Sequence, residues 1–176
     1  MQKRSVVLTG FMGTGKSTVG RLLAAQLDYR FVDTDALIMV QNGRSVSTIF
    51  QEEGEAAFRA METAVSLQLS QEVGLVIATG GRLMLDPANA TLLSNAHIFC
   101  LTASVKTILS RVDDDGKRPL LNVADPAQRI RHLLAEREAG YGRFPQIKTD
   151  HKTAAQISKE IHQCIFATSK TAPQKS

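Results

Sequence analysis

Residues 10–17, Gly-Phe-Met-Gly-Thr-Gly-Lys-Ser, fit the pattern G-x-x-x-x-G-K-[ST], whose chemistry is the gripping of a polyphosphate. Glycines let a tight loop wrap the phosphates so that backbone N–H groups point inward, and a helix beginning at the loop adds partial positive charge. Lys16 can then reach the outer phosphates and the Ser17 hydroxyl can ligate Mg²⁺. Gly13, Thr14, Gly15, Lys16, Ser17 and Thr18 are therefore the candidate nucleotide-binding residues, and the expected ligand is a nucleoside triphosphate with Mg²⁺.

Other residues could act on what the nucleotide delivers. Asp33-Thr34-Asp35 closes a strand-like run with two carboxylates one residue apart. In an extended segment both can point to one rim, one serving Mg²⁺ directly or through water and the other orienting and deprotonating an acceptor hydroxyl. The plainer alternative is a turn in which Asp35 caps the next helix. Arg59 and Glu62 are helical neighbours at i, i+3, ordinarily a surface ion pair. Thr79-Gly80-Gly81 ends an apolar run, where paired glycines permit close backbone approach to a ligand or merely a turn. The run from Asp113 to Pro119 is polar, either a solvated loop or a lid that brings Arg118 onto a transferring phosphoryl group. Arg137, near a helix end, could join Arg59 as a clamp for a carboxylate, because guanidinium forks bind carboxylates bidentately.

The elements that must position these residues alternate. Ser5–Thr9 reads as a buried strand and Thr18–Leu27 as a helix with Val19, Leu22, Leu23 and Leu27 on one face. Strands are expected at 29–33, 74–79, 96–101 and 146–149, and helices at 36–41, 48–53, 55–71, 87–93, 105–111, 125–139 and 153–167. Asp125-Pro126-Ala-Gln128 is a helix start, with an Asp cap and Pro in the first turn, and Gly140 is the expected stop. Apolar strands without alternation, separated by helices, imply an α/β fold with a parallel sheet covered on both faces, and ligands at the carboxyl ends of its strands. A single domain is expected over 1–167, with a disordered tail over 168–176.

Composition narrows the classes. The chain of 176 residues has 43% hydrophobic and 22% charged residues and a net charge of +4. Its basic residues are scattered and aromatics make up 5%, without Trp, so anionic small molecules are a simpler account than nucleic acid. Cys100 and Cys164 read as buried thiols of a reducing compartment, and the four histidines are dispersed without metal-ligand spacing. No apolar stretch approaches a membrane span and the start is too short for a signal peptide, so a cytoplasmic protein is expected.

Taken together, Gly10–Thr18, Asp33-Thr-Asp35, Phe58-Arg59 with Glu62, Ala78-Thr-Gly-Gly81, Arg118-Pro-Leu-Leu121 and Glu136-Arg137 with Tyr141 resemble the shikimate kinase family over about residues 5–165. The resemblance implies a three-layer α/β/α fold on a five-stranded parallel sheet, with a mobile lid over about 112–124. It also implies transfer of the γ-phosphoryl of ATP to the 3-hydroxyl of shikimate by an enzyme expected to be monomeric. Carried onto this chain, it makes Lys16, Asp35 and Arg118 catalytic, and Ser17 and Asp33 the Mg²⁺ residues. Arg111 would pack on adenine, and Asp35, Arg59, Gly80, Gly81 and Arg137 would hold the acceptor. The chain departs from the family by reading Gly80-Gly81-Arg82 where a third glycine is usual, and Thr149–Thr153 lacks the adenine-packing proline. If that third position needs a left-handed backbone, Arg82 costs about 1–2 kcal/mol and reshapes the acceptor site. Another small-molecule acceptor, or a nucleotide-binding protein without turnover, are the remaining readings.

Overall fold

The expected strands form, and all of them pair in parallel. The computed structural model describes residues 3–112 and 123–168. Strands β1 (Val6–Gly10), β2 (Arg30–Asp33), β3 (Leu75–Ala78), β4 (His97–Thr102) and β5 (Gln146–Lys148) make one five-stranded sheet in the order β2-β3-β1-β4-β5. β1 lies in the middle, matched on one side through Val6↔Val76 and on the other through Val6↔His97, and all its residues are buried. That burial explains why the strands read as continuous apolar runs.

Successive residues of β1 face opposite layers. Val6 and Leu8 pack with Leu23 of helix α1 (Lys16–Leu27) and with Ile157 and Ile161 of α7 (Ala154–Thr168). Val7 packs on the other face with Ile38 of α2 (Thr34–Asn42) and with Phe58 and Leu69 of α3 (Val46–Ser70). Helices α4 (Pro87–Leu92), α5 (Val105–Val112) and α6 (Pro126–Tyr141) complete the layers, and a 3₁₀ turn at Leu83–Leu85 follows the glycine pair. Among the described residues no helix is long and apolar enough to cross a membrane.

Several expected details change. α1 begins at Lys16, directly on the phosphate loop, and its buried face is Val19, Gly20, Leu23 and Ala24, while Leu22 is 40% exposed. The reason is Gly20, where a Cβ would come within 2.6 Å of the Phe31 ring, so the helix seats its smallest residue against β2 and turns Leu22 outward. Gly140 does not stop α6, which continues to Tyr141. It is small because Leu85 fills the space beside it, 2.5 Å from where a Cβ would stand. The two stretches expected at 48–53 and 55–71 join as α3, bent where Gly54 takes φ 82° and ψ 175°. Cys100 is buried, as expected, but Cys164 is only partly so. Arg118, most of the expected lid at 112–124 and most of the expected tail at 168–176 lie outside the described residues.

Gly10 ends β1 at φ 129°, and a Cβ there would lie 2.2 Å from the Leu101 carbonyl oxygen. That oxygen belongs to the neighbouring strand and cannot swing aside as a side chain can. Gly10→Ala should therefore lower stability by about 1–3 kcal/mol in urea unfolding, combining an overpacked contact with a left-handed backbone.

Candidate active site

The phosphate loop owes its shape to two left-handed glycines, Gly13 at φ 74° and Gly15 at φ 95°. Thr14 is buried and its Oγ1 donates to the Phe11 carbonyl at 2.7 Å, so this residue can offer a phosphate only its backbone N–H. Lys16 lies across the loop and donates from Nζ to the carbonyls of Gly10 and Phe11 at 2.8 and 2.9 Å. An ammonium held over a glycine-rich loop at the start of a helix suits an anion site. Thr18, one turn into α1, is exposed.

Ser17 and Asp33 meet, Oγ donating to Oδ2 at 2.8 Å. The other oxygen of Asp33 accepts from the backbone N–H groups of Asp35 and Ala36 at 3.1 and 3.2 Å. Asp33, not Asp35, is thus the cap of α2, because it is the last residue with extended backbone before the helix. A hydroxyl beside a carboxylate, next to a phosphate loop, is the sparse hard-oxygen set that suits Mg²⁺, an ion that keeps most of its waters and takes phosphate oxygens. Among the described residues no group of three or more His, Cys, Asp or Glu side chains could hold a metal ion.

Arg111 flanks the same loop. Its Nη1 donates to the Gly13 carbonyl at 3.2 Å and to Thr149 Oγ1 at 3.0 Å, and Nη2 donates to the Thr149 carbonyl at 3.0 Å. Asp150 fixes the start of α5 by accepting from the Ser104 N–H at 3.0 Å and Thr107 Oγ1 at 2.6 Å, and these bonds hold its carboxyl well below the usual range. The nucleotide side is therefore cross-tied from the loop through α5 to the end of β5.

The other side of the site is built around Gly80. A Cβ there would stand 2.6 Å from Asp35 Oδ1 and 3.0 Å from Glu62 Oε1, so lack of room, not a left-handed backbone, demands glycine. The Gly80 N–H donates to Thr34 Oγ1 at 2.9 Å, which ties the ends of β2 and β3 together. Asp35 Oδ1 is buried and has no hydrogen-bond partner among the described residues. Burial, and then the nearby Asp33 carboxylate, push the Asp35 pKa up against the opposing pull of Lys16 and Arg59. A carboxylate kept short of partners and above its ordinary range is suited to accept a proton.

Arg59 and Glu62 are not a surface pair. Glu62 is 1% exposed and accepts from Arg59 Nη1 at 2.6 Å, with burial raising its pKa against that arginine. Arg137 is also buried, with its guanidinium over the Phe11 ring at 5.3 Å and its Nη1 3.6 Å from where a Cβ of Gly81 would be. Tyr141 donates from its hydroxyl to the Gly81 carbonyl at 2.6 Å. The structure thus gathers Asp35, Arg59, Gly80, Gly81 and Arg137 on one rim. It adds Glu62 and Tyr141, which the sequence places beside the arginines without assigning them to the site. Thr34 went unnoticed; its only signal is a hydroxyl between two carboxylates at a strand end.

Arg82 does not carry the strain its sequence suggested. Its backbone sits at φ −110° and ψ −13°, open to any residue, and its side chain is half exposed. The acceptor loop is consequently not reshaped by backbone strain at this position.

The Asp35 shift has a measurable sign. Folding disfavours its ionised form, a penalty present in full above the raised pKa and lost as pH falls below the ordinary carboxylate value. Asp35→Asn should therefore raise the Tm at neutral pH, with the gain shrinking as the pH is lowered through the carboxylate range.

The chain has clear relatives. Residues 12–166 match the model of the shikimate kinase family. It is 44% identical over 161 residues to a shikimate kinase of Caldanaerobacter subterraneus subsp. tengcongensis, covering 90% of this chain and 94% of that one. It is 45% identical over 160 residues to one of Geobacter sulfurreducens, covering 90% and 88%. A solved structure of shikimate kinase from Acinetobacter baumannii in complex with shikimate superposes with a TM-score of 0.88 at 36% identity, covering 94% of each chain. A phosphate loop one strand away from a carboxylate-and-arginine rim, on this sheet order and with these relatives, leaves one conclusion: the chain belongs to the shikimate kinase family.

Proposed function

We propose that this protein transfers the γ-phosphoryl group of ATP to the 3-hydroxyl of shikimate, giving shikimate 3-phosphate and ADP, with Mg²⁺ on the nucleotide. The observation that carries the residue assignment is Asp35, a carboxylate with one buried oxygen that has no hydrogen-bond partner among the described residues, within the electrostatic reach of Lys16 of the phosphate loop and of Arg59. On this reading Asp35 accepts the hydroxyl proton as the oxygen attacks the γ-phosphorus and the bridging oxygen leaves with ADP. Lys16 leaves the loop carbonyls for the phosphoryl oxygens, where charge spreads in the transition state. Ser17 and Asp33 hold the metal, which when bound neutralises phosphate charge. The loop N–H groups of Gly13, Thr14 and Gly15, together with Thr18, orient the phosphates, and Arg111 borders the adenine.

Arg59 and Arg137 grip the acceptor's carboxylate, with Gly80 and Gly81 forming the pocket floor. Arg118 is assigned to the transferring phosphoryl and the segment 112–124 to a lid on its motif match. A single kinase domain over 1–167, in the reducing cytoplasm that two free cysteines suit, completes the proposal.

ADP release from Mg·ATP, followed by a coupled assay, should depend on shikimate; turnover indifferent to shikimate would refute the acceptor. Asp35→Asn should lower kcat by about 10²–10⁴-fold, the usual worth of a positioned base, while changing ATP affinity little. The acidic limb of kcat/KM should lie above the ordinary carboxylate range, as the raised Asp35 pKa requires, and disappear in that variant. Arg59→Ala and Arg137→Ala should each raise the acceptor KM by about 10–100-fold, the worth of a charge-assisted hydrogen bond. Unchanged KM in both would remove the clamp.

A further inference from the structure

Arg59 divides its donors between two carboxylates. Nη1 is taken by the buried Glu62, whereas Nε and Nη2 both donate to Glu55 Oε1, at 3.2 and 2.9 Å. That same oxygen lies 3.4 Å from Nη1 of Arg82. One carboxylate oxygen is thus shared by two guanidinium groups at the edge of the acceptor pocket. Glu55 is 53% exposed, and its carboxyl is held below the usual range by Arg59 first, with Arg82 and Arg137 adding to the effect. The charge of Arg82 also reaches Glu62 and Tyr141, both of which border the pocket. The Arg82 backbone is unstrained, so nothing in the fold compels an arginine or a glycine there.

We propose that Arg82 is a third arginine of the acceptor site, reading the acceptor's carboxylate alongside Arg59 and Arg137, and that Glu55 occupies that place while the pocket is empty. The inference rests on a carboxylate-bearing acceptor, as proposed above. An exposed pair such as Glu55 with Arg82 is screened by water and readily exchanged, so an incoming carboxylate can take over the donors that Glu55 releases. A ligand in that place would meet Nε and Nη2 of Arg59 as a fork, the arrangement that binds carboxylates bidentately, with Arg82 closing the outer side. The position therefore sets acceptor affinity and charge preference, not the transfer step, since Arg82 touches neither Asp35 nor the phosphate loop in the contacts described.

The test compares the unmodified chain with Arg82→Gly, which restores the family's glycine, and with Arg82→Lys. Acceptor KM, ATP KM and kcat are measured at low and high salt, using shikimate and its carboxamide. For shikimate, Arg82→Gly should raise the acceptor KM about fivefold at low salt and less at high salt, the size expected of a half-exposed charge contact. Arg82→Lys should recover part of that loss, and the ATP KM should not move. With the carboxamide, the unmodified chain and Arg82→Gly should show the same KM. An unchanged shikimate KM in Arg82→Gly would overturn the inference while leaving the acceptor assignment standing, as would an equal shift for the carboxamide, which would mark a merely structural effect. No shikimate-dependent turnover in the unmodified chain would instead overturn the acceptor assignment and the inference with it.

Discussion

Two carboxylates crowd one glycine, and most of the site follows from that. Asp35 and Glu62 approach Gly80 so closely that no side chain fits between them. Placed there unaided, such groups would push each other toward the neutral acid. Arg59 opposes this at Glu62, and Lys16 and Arg59 oppose it at Asp35, while burial leaves both carboxyls above their ordinary range. Arg59 therefore holds the two carboxylates together beside the glycine, and Lys16 contributes to the same balance from the phosphate loop. The glycine makes the arrangement possible; the cations offset part of the crowding.

The two halves of the site are built from different materials. The nucleotide half is mostly backbone: loop N–H groups set by two left-handed glycines, stitched by Arg111 to the carbonyls of Gly13 and Thr149. The acceptor half is mostly side chain, with Asp35, Arg59, Glu62, Arg137 and Tyr141 packed or bonded against a short glycine segment. Phosphates look alike from one nucleotide to the next, and backbone donors suit them. A particular hydroxy acid must be told from others, and only side chains of differing reach and charge can do that.

Much of this was legible before the fold was known. A loop with fixed glycines, Lys and Ser has one common use, and apolar runs of four to six residues between helical stretches leave few sheets to build. Asp33 and Asp35 were readable as a pair, but which of them capped α2 was not, because that depends on where the backbone turns from extended to helical. Arg59 with Glu62 looked like a surface pair, since spacing along a helix says nothing about which face is covered. Gly140 looked like a helix stop, yet its smallness answers Leu85, a residue distant in the chain. Arg82 misled for the opposite reason: a substitution in a glycine run suggests backbone strain, and only dihedral angles can remove it. What sequence could not show was, in each case, a contact between residues far apart or a single torsion.

The order β2-β3-β1-β4-β5 sets Asp33 and Asp35 at the end of β2, the Gly80–Gly81 loop at the end of β3 and the phosphate loop at the end of β1, on three adjacent strands. Neighbouring strands lie about 4.8 Å apart, a spacing imposed by main-chain hydrogen bonds and indifferent to side chains. The path from donor to acceptor is in this way ruled off by the sheet itself, like marks on a scale. Pocket residues can be exchanged in an evolving or redesigned enzyme to admit a different acceptor, and the distance the phosphoryl group has to travel stays the same.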